Sequence, residues 1–440
     1  MKTRRIFTFA FLTLLGLSPL AQANGLNLNS LGSRALSMGG AFVGLADDYS
    51  AIFWNPAGMA QFDKNYLGFY FTDVIPSGSY LLQVPSQVGL VTVVDAKTLS
   101  KHYLSGLLAY YHPINDYLVA GIGVYIPSGL GSAWDGQDFT GLSNNTPYEW
   151  TSKVGLVTIS PAISYKINET ISVGASLNIN YGMFSMKKWA GNTAIPQPPY
   201  EIDLGQYEMS LNGWGFGVTG GVLVKPSEMF SFGFTIRTPS RIKFSGDTSL
   251  SNVDLLGFKE TSEAETVSPH LTFPLWIAGG VAFRPLPSLT LTGDLQWTQW
   301  STLDQIELKF IDPYWNLFMV ASGENKMHLE WNDALQVRFG AEYKFSDSFA
   351  LRGGYYYDPT PTPDKTMNFL LPSYTFNVFT AGIGYSLNGL VIDFGFEFLS
   401  GKEREVDFAK WLLDPEFANA QPGIYDMSIV VPNISISYKF

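Results

Sequence analysis

The chain has 440 residues, a net charge of −11 and no cysteine, and aromatic and charged residues each make up 15% of it. The absence of cysteine excludes disulfide frameworks, thiolate metal sites and cysteine nucleophiles, and the acidic balance argues against nucleic-acid binding. Many aromatic residues, 43 glycines and few charges are typical of a transmembrane β-barrel. No apolar run approaches the roughly 18 residues that a membrane helix needs.

The first residues predict export. Three basic residues precede an apolar run, Ile6 to Leu17, and Ala21-Gln22-Ala23 has the small side chains that signal peptidase accepts. The run is too short to span a bilayer, so we interpret residues 1–23 as a signal peptide that is removed. Without its three basic residues, 24 of the 27 remain against 38 acids, which is a charge of −14.

Residues 24–65 precede the first predicted strand and are rich in Ala, Gly, Ser, Leu and Met. A periplasmic tail would be more polar, so this composition favours a compact plug, or hatch, packed inside a barrel. Asn55-Pro56-Ala57-Gly58 predicts a chain reversal, because proline fixes φ and Gly58 accepts backbone angles that other residues resist. Two interpretations stay open for these four residues: a turn that only leads the plug into the first strand, or a hatch element that gates a ligand.

Alternation of apolar and polar residues is the main signal in residues 66–440. Ile171 to Tyr181, ISVGASLNINY, places apolar residues on one face and polar residues on the other. Leu335 to Phe345 repeats this pattern, with Arg338 and Glu342 in the polar series. A charge that faces lipid at the bilayer midplane costs about 2–4 kcal/mol, so membrane strands must be sorted in this way. The pattern predicts strands with one lipid face and one lumen face.

Tight turns alternate with connections of about 16 to 35 residues between these strands, which is typical of outer-membrane barrels. The sequence therefore predicts an all-β protein of the cell outer membrane, a 14-stranded antiparallel transmembrane β-barrel over residues 66–440. Such a barrel has a lumen too wide to be filled by strand side chains alone. The predicted strands lie near residues 66–74, 102–112, 117–127, 154–167, 170–183, 210–224, 229–246, 270–284, 288–299, 335–345, 348–358, 376–387, 389–399 and 427–440.

The third predicted strand contains several residues that weaken a hydrogen-bonded ladder, because glycine lacks a side chain to pack and proline lacks an N–H. These residues indicate a local kink in the strand. The alternative is that the glycines only relieve curvature or crowding against the plug. The residues are Gly121, Gly123, Pro127, Gly129 and Gly131.

Charged residues of both signs fall in the lumen series. Their mixture favours an ion-pair network that anchors the plug; the alternative is that one arginine receives a substrate carboxylate, since guanidinium suits bidentate oxygen contacts. The candidate arginines are Arg34, Arg237, Arg338 and Arg352, and the acids are Asp47, Asp48, Asp294, Glu342, Asp393 and Glu397.

The predicted loops contain apolar stretches at Tyr80–Leu82, Val88–Val94 and Phe408–Leu413. These residues indicate a groove that captures hydrophobic molecules, although strands that extend above the membrane would show them too. Acidic loop residues could hold divalent cations that bridge lipopolysaccharide, but their spacing matches no specific metal motif. The terminal Phe440 resembles the aromatic residue that the barrel-insertion machinery recognises.

Several motifs in this order and spacing resemble the FadL/TodX family of outer-membrane transporters of long-chain fatty acids and hydrocarbons. The chain departs from the family at Pro372–Phe376, where members often carry Pro-Asp and then an arginine. The motifs are Gly32–Ala35, Met38–Ala41, Ala46–Asp48, Asn55–Gly58, Pro127–Trp134, Leu271–Pro274, Trp297–Ser301 and Arg352–Pro361.

The resemblance implies a monomeric 14-stranded barrel plugged by its N-terminal hatch, which takes up hydrophobic molecules passively and without a cofactor. It further implies ligand capture at the outer loops, an internal site that touches the hatch, and release through a side opening at the kinked third strand. A sixteen-carbon chain gains on the order of 12 kcal/mol by staying out of water. Sideways release into the bilayer keeps that gain.

Enzyme motifs are absent: the sequence has no His-Glu-x-x-His, Gly-x-Ser-x-Gly or phosphate-binding loop, and only four histidines. A Ser/His pair formed across strands would leave no such motif. Besides hydrophobic uptake, two alternatives therefore stay open. One is a weakly selective porin, and the other is a surface adhesin or lipid hydrolase built on a barrel.

Overall fold

The computed structural model describes residues 25–28, 30–194, 200–267 and 271–440; the predicted signal peptide lies outside them. Fourteen long strands follow one another in the chain. They are β1 (Tyr66–Ser86), β2 (Tyr103–Asn115), β3 (Leu118–Trp134), β4 (Trp150–Lys166), β5 (Ile171–Trp189), β6 (Gln206–Val224), β7 (Phe230–Arg237), β8 (Trp276–Leu286), β9 (Leu289–Thr298), β10 (Ala334–Lys344), β11 (Phe349–Asp358), β12 (Phe376–Leu387), β13 (Leu390–Gly401) and β14 (Gly423–Lys439).

The fourteen strands form one closed barrel. Each strand pairs antiparallel with its neighbour in sequence. The first strand also pairs with the last, so that Tyr66 of β1 lies opposite both Tyr111 of β2 and Lys439 of β14. No edge of the fourteen is left unpaired, which removes the exposed backbone groups that an open sheet would present to lipid. The predicted 14-stranded antiparallel barrel is confirmed.

The period-two pattern sorts the side chains between lipid and lumen. On β10, Phe339 and Tyr343 lie on the exposed outer face, whereas Arg338 and Glu342 are each only 1% exposed on the inner face. The same alternation runs along β6, where Trp214 and its apolar series face outward. The barrel therefore presents an apolar surface to the bilayer and a polar surface to its own interior.

Two strands run far above the predicted membrane region. β1 continues to Ser86, and residues Gly89–Lys97 fold back as a further strand that pairs with it. Tyr80–Leu82 and all of Val88–Val94 except the turn at Val88–Gly89 therefore lie in strands and not in loops, as the alternative of strands extending above the membrane predicts. Tyr80, Leu82 and Val94 are buried, because strands that extend beyond the bilayer still pack apolar side chains against the loops beside them.

The remaining elements are short. Two helices, α1 (Ser33–Ser37) and α2 (Ala51–Trp54), precede the barrel, and α3 (Pro313–Ser322) and α4 (Phe408–Leu413) lie in loops. Within the described ranges, no helix is long and apolar enough to cross a membrane. Short strands lie at Asn192–Ala194, Glu201–Asp203, Ser240–Ile242, Ser245–Leu250, Thr261–Thr266, Leu271–Phe273, Gln305–Phe310, Lys326–His328 and Arg404–Val406, and 3-10 turns at Pro56–Gln61, Gly136–Phe139, Val253–Leu256, Trp300–Thr302, Asp364–Thr366 and Pro415–Phe417.

The loop between β11 and β12 crosses the outer mouth of the barrel. Its Phe369 carbonyl accepts a hydrogen bond from the Trp134 indole N–H at 2.9 Å, and its Leu370 carbonyl accepts one from Ser132 at 2.8 Å. Phe369 also packs against Phe139 with ring centroids 4.8 Å apart. Because Ser132 and Trp134 belong to β3, this loop roofs the lumen from the opposite wall.

The lipid face supports a direct test at Phe339, which is 56% exposed at the middle of β10. We expect Phe339→Arg to lower the free energy of unfolding by about 2–4 kcal/mol, because it places a charge in hydrocarbon. The control Phe339→Leu should change it by less than about 1.5 kcal/mol. Denaturant titration in phospholipid vesicles measures both, and an unchanged midpoint for the arginine variant would contradict the assignment of this face to lipid.

Candidate transport pathway

The N-terminal segment, defined here as residues 25–65, packs against the inner wall of the barrel. Its side chains between Leu31 and Met59 are nearly all buried. Glycines on the wall make room for it: a Cβ at Gly174, Gly221 or Gly233 would overlap atoms of the segment. Its small residues and those wall glycines explain how a backbone fits inside a barrel of this size.

Buried hydrogen bonds attach the segment to β9 and β10. The Oδ2 atom of Asp294 accepts the backbone N–H groups of Phe42 at 2.8 Å and Val43 at 2.9 Å. The Arg338 guanidinium donates to the Gly39 carbonyl at 2.9 Å. Since the segment has little regular structure, these side chains supply the partners that its buried backbone groups require.

A buried ion-pair network joins the segment to β10, β11 and β13. Arg34 Nε lies 2.7 Å from Glu342 Oε2, and Arg34 Nη1 lies 2.5 Å from Asp47 Oδ1. Arg352 Nε also lies 2.7 Å from Glu342, and its Nη1 lies 2.6 Å from Asp393. One carboxylate therefore binds two guanidinium groups, which fixes the segment to the wall.

A neighbouring carboxyl in the segment is held without a cation of its own. Asp48 Oδ1 accepts hydrogen bonds from the Ser50 N–H at 2.8 Å and the Ser50 hydroxyl at 2.6 Å. Burial raises the pKa of Asp48 to about 6, and the nearby Arg34 only partly offsets this. The neutral form of Asp48 is therefore favoured more than in an exposed aspartate.

The predicted turn Asn55-Pro56-Ala57-Gly58 lies against β5, β6 and β7. The Asn55 amide donates to the Val43 carbonyl at 3.1 Å and to the Val222 carbonyl of β6 at 3.0 Å. Its Oδ1 accepts the Ala57 N–H at 3.1 Å and so begins the 3-10 turn Pro56–Gln61. These contacts tie the turn to the wall, while its role in gating stays a prediction.

The third strand carries an irregularity at the predicted proline. Opposite β4, Tyr125 pairs with Thr158 and Ser128 with Leu156, so β3 contains one extra residue there. On the other side, pairing with β2 runs only as far as Tyr125 opposite Leu107. Beyond this point the backbone ladder between β2 and β3 is interrupted at the level of Pro127. The Ser105 hydroxyl of β2 still donates to the Ile126 carbonyl at 3.2 Å, and pairing resumes where Thr98 forms a bridge with Trp134.

Residues 26–28 of the N-terminal segment lie in that break. The Leu26 carbonyl accepts the Gly129 N–H at 2.9 Å, and the Leu28 N–H donates to the Pro127 carbonyl at 2.9 Å. Asn27 forms an isolated β-bridge with Ser128. Residues 26–28 of the segment thus supply hydrogen-bond partners to the stretch of β3 that has no backbone pairing with β2.

The glycines of β3 differ in their surroundings. A Cβ at Gly121 would lie 2.6 Å from Met59, and one at Gly123 would lie 3.1 Å from Ile52, so these two make room for the segment. A Cβ at Gly131 would lie 2.7 Å from Tyr103, whereas one at Gly129 would meet nothing closer than 3.9 Å. Crowding therefore accounts for Gly121 and Gly123, and the irregularity is confined to the region of Pro127 and Gly129.

Two cavities lie on either side of Asn27, which lines both. The outer cavity lies between the segment, β1, β13, β14 and the roofing loop, and is mostly apolar. The second cavity, called the polar cavity here, lies beside β5, β6 and β7. Its lining includes Asn178, Asn180, Ser240 and Arg237.

The structure brings all four candidate arginines to the segment. Arg34 belongs to it, Arg338 donates to the Gly39 carbonyl and Arg352 is joined to it through Glu342, whereas Arg237 donates to the Phe53 carbonyl at 2.8 Å and lines the polar cavity. Sequence reasoning missed Asn27, Asn178 and Asn180. Asn178 and Asn180 belong to the polar series of ISVGASLNINY, and this position on the lumen face was the one feature of the sequence that could have indicated them. Among the described residues no cluster of His, Asp and Glu could hold a metal ion.

The comparisons with known proteins agree with this architecture. The family model described as outer membrane protein transport protein (OMPP1/FadL/TodX) matches residues 14–440. The chain belongs to this family. It is therefore a transport protein of the outer membrane, and the prediction that it is not an enzyme is confirmed, because the family consists of transport channels.

Individual relatives are distant. The long-chain fatty acid transport protein of Salmonella typhi is 23% identical over 91% of this chain and 93% of its own length. Outer membrane protein P1 of Haemophilus influenzae is 22% identical over 89% of this chain and 90% of its own. A Pseudomonas aeruginosa FadL homologue (TM-score 0.76, 19% identity, 94% of this chain, 100% of that one) and the P. putida toluene transporter TodX (0.73, 16%, 94%, 99%) have the same fold.

We expect the segment to need the Glu342 carboxylate in order to close the lumen to ions. In Glu342→Gln, Arg34 keeps Asp47 and Arg352 keeps Asp393, but both lose the buried carboxylate that they share, so the free energy of unfolding should fall by less than the about 3–5 kcal/mol that an uncompensated buried charge costs. We expect this variant to conduct ions in planar bilayers. The wild-type protein and Glu169→Gln, which alters an exposed glutamate in the β4–β5 turn, should stay closed. Steady conductance by the wild-type protein would favour the porin alternative.

Proposed function

We propose that this protein takes up hydrophobic molecules, long-chain fatty acids or hydrocarbons, by passive transport through loop capture, hatch-gated internal binding and lateral exit at β3. Its relatives include a long-chain fatty acid transport protein and a toluene transporter. The observation that carries the proposal is the break between β2 and β3, because it lies directly beside the two cavities. Residues 26–28 lie in this break, and Asn27 lines both cavities.

Capture is assigned to the outer loops. A cavity at the top of β5 and β6 has an apolar base that includes Phe184, Met186 and Met209, and a polar rim that includes Lys188 and Asn419. Methionine side chains adapt to apolar ligands of different shape, which suits capture of a molecule that has few polar groups. The exposed helix α4, with Leu412 and Leu413 at the surface, supplies further apolar area among the outer loops.

Gating is assigned to the N-terminal segment. Residues 26–28 bond β3 through only a few backbone hydrogen bonds, each with a modest net free energy of roughly 0.5–1.5 kcal/mol. By contrast, the ion pairs and the Asp294 contacts hold the rest of the segment firmly. We therefore expect movement at the break, while the remainder of the segment, including the Asn55–Gly58 turn, keeps the lumen closed to water.

Lateral exit is favoured because exit towards the periplasm would expose an alkyl chain to water. The face of the segment toward the periplasmic turns is charged, with Arg34, Asp47 and Lys344 lining the space there. An alkyl chain that leaves by this face gives up about 0.8 kcal/mol per methylene. The break in the wall leads instead to lipid, where this free energy is retained. The protein then requires no energy source beyond a concentration gradient.

Restoring the β3 ladder tests the proposed exit. Deleting Ile126 together with Pro127→Val removes the extra residue and returns an N–H to the strand, so we expect β2 and β3 to pair and uptake of radiolabelled hexadecanoate by cells to fall at least tenfold. Hexadecanoate bound per purified barrel should stay within twofold. The matched control deletes Val88 at the exposed tip of the β1 hairpin. Unchanged uptake by the repaired strand would contradict lateral exit.

A further inference from the structure

Two hydroxyl groups at the outer cavity have no hydrogen-bond partner. Ser30 belongs to the N-terminal segment and Tyr374 to the roofing loop, and both residues line this cavity. Ser30 is 5% and Tyr374 is 1% exposed, and neither hydroxyl oxygen bonds to another group among the described residues. A buried hydroxyl that loses its contacts with water and gains none from the protein is costly, so the two indicate a site for a polar group of a ligand.

Other buried hydroxyls near the roofing loop do have partners. Tyr80 donates to the Pro422 carbonyl at 2.8 Å, and Tyr425 donates to a carbonyl four residues before it at 2.5 Å. Tyr374 is instead held by its ring, whose centre lies 6.0 Å from that of Phe376. The lack of a partner is therefore not general to the tyrosines of this region, and the Tyr374 hydroxyl contributes no hydrogen bond to the ligand-free fold.

The charges at the outer cavity are negative. Among the described residues that line it, the charged ones are Asp358 and Glu397. Glu397 accepts the Tyr356 hydroxyl, and because a carboxylate has about four acceptor positions it can accept a further hydrogen bond. The two acids disfavour an anionic group in this cavity and favour a group that donates a hydrogen bond.

The rest of the wall is apolar and reaches the break in β3. Leu130, Ile429 and Val431 line the cavity, and so does Gly129, which lies at the break. These walls suit a hydrocarbon chain or ring. A cation would also match the acids, but a charged group that leaves sideways must enter hydrocarbon, and a neutral hydroxyl does so at a much smaller cost. The group that fits this cavity is therefore a neutral hydroxyl on an apolar chain or ring.

We propose that the outer cavity is a binding site for alcohols, in which Ser30 and Tyr374 are specificity residues that bond to the hydroxyl of an otherwise hydrophobic molecule. The ligand hydroxyl can accept from either residue and donate to either of them or to Glu397. The inference rests on the proposed uptake function and adds a substrate class to it, because the cavity then binds an alcohol in preference to an alkane of equal length.

The test compares 1-dodecanol with dodecane, which has the same number of carbons and no hydroxyl. Binding of each radiolabelled compound to purified barrel in detergent is measured for the double variant Ser30→Ala/Tyr374→Phe and for each single variant. Each value is taken relative to wild type with the same compound, so that partition into micelles cancels. We expect the double variant to bind dodecanol at least fivefold more weakly, because two hydrogen bonds are lost, and to bind dodecane within twofold of wild type.

Two controls separate binding from folding. Ser301→Ala/Tyr314→Phe removes the same two groups from exposed residues of the outer loops, and should bind both compounds as wild type does. Because the hydroxyls of Ser30 and Tyr374 have no partner in the ligand-free barrel, their removal breaks no hydrogen bond. The midpoint of denaturant unfolding of the double variant should therefore not fall.

The other outcomes overturn the inference. Equal losses for dodecanol and dodecane would show that Ser30 and Tyr374 only shape the cavity, and unchanged binding of both would show that neither residue bonds to a ligand hydroxyl. Either result leaves the uptake function standing. Uptake of hexadecanoate by cells tests that function separately: if the wild-type protein does not take it up, the proposed function itself fails.

Discussion

Filling the lumen is the constraint on which the rest of this structure depends. Fourteen strands enclose more space than their own side chains can occupy, and an open bore of this size would pass water and ions. The N-terminal segment occupies the bore, and the wall satisfies its backbone through Asp294 and its charges through Glu342. Glycines on the wall and small residues in the segment are what make the fit possible.

In the proposed function, the filled lumen determines the direction of transport. The charged and hydrogen-bonded groups of the segment disfavour passage of a hydrophobic molecule to the periplasm, so we propose that it leaves through the wall. The extra residue in β3 and the early end of its pairing with β2 provide such a route. The end of the segment, at residues 26–28, lies in this gap. The part of the chain that fills the bore is therefore also in contact with the place where substrate would leave.

The sequence predicted the barrel well, because lipid imposes a strict alternation on every membrane strand. The twelfth predicted strand, residues 376–387, has the same bounds as the observed Phe376–Leu387. Above the membrane this rule ends, and β1 and β3 extend well past their predicted ends, to Ser86 and Trp134. There, apolar residues pack between strands and loops, and alternation no longer separates a strand from a loop.

The candidate site was predicted only in part. Alternation along the strands placed Arg237 and Arg338 in the lumen, but only three-dimensional contacts show that Arg338 donates to the Gly39 carbonyl of the segment and Arg237 to the Phe53 carbonyl. The same holds for Gly121, whose closeness to Met59 depends on residues about sixty positions apart. The position of Asn27 between two cavities depends on how the segment enters the barrel, and no local pattern encodes that.

A disulfide lock tests the central claim most directly, because the native chain has no cysteine that would interfere. A Cβ at Gly395 of β13 would lie 2.7 Å from the Ser37 Oγ atom, so Ser37→Cys with Gly395→Cys can join the segment to the wall away from β3. If substrate leaves sideways past a fixed segment, uptake of hexadecanoate by the oxidised protein should equal that of the reduced protein. Loss of uptake on oxidation and its return with reductant would show that the whole segment must move, and would contradict the account.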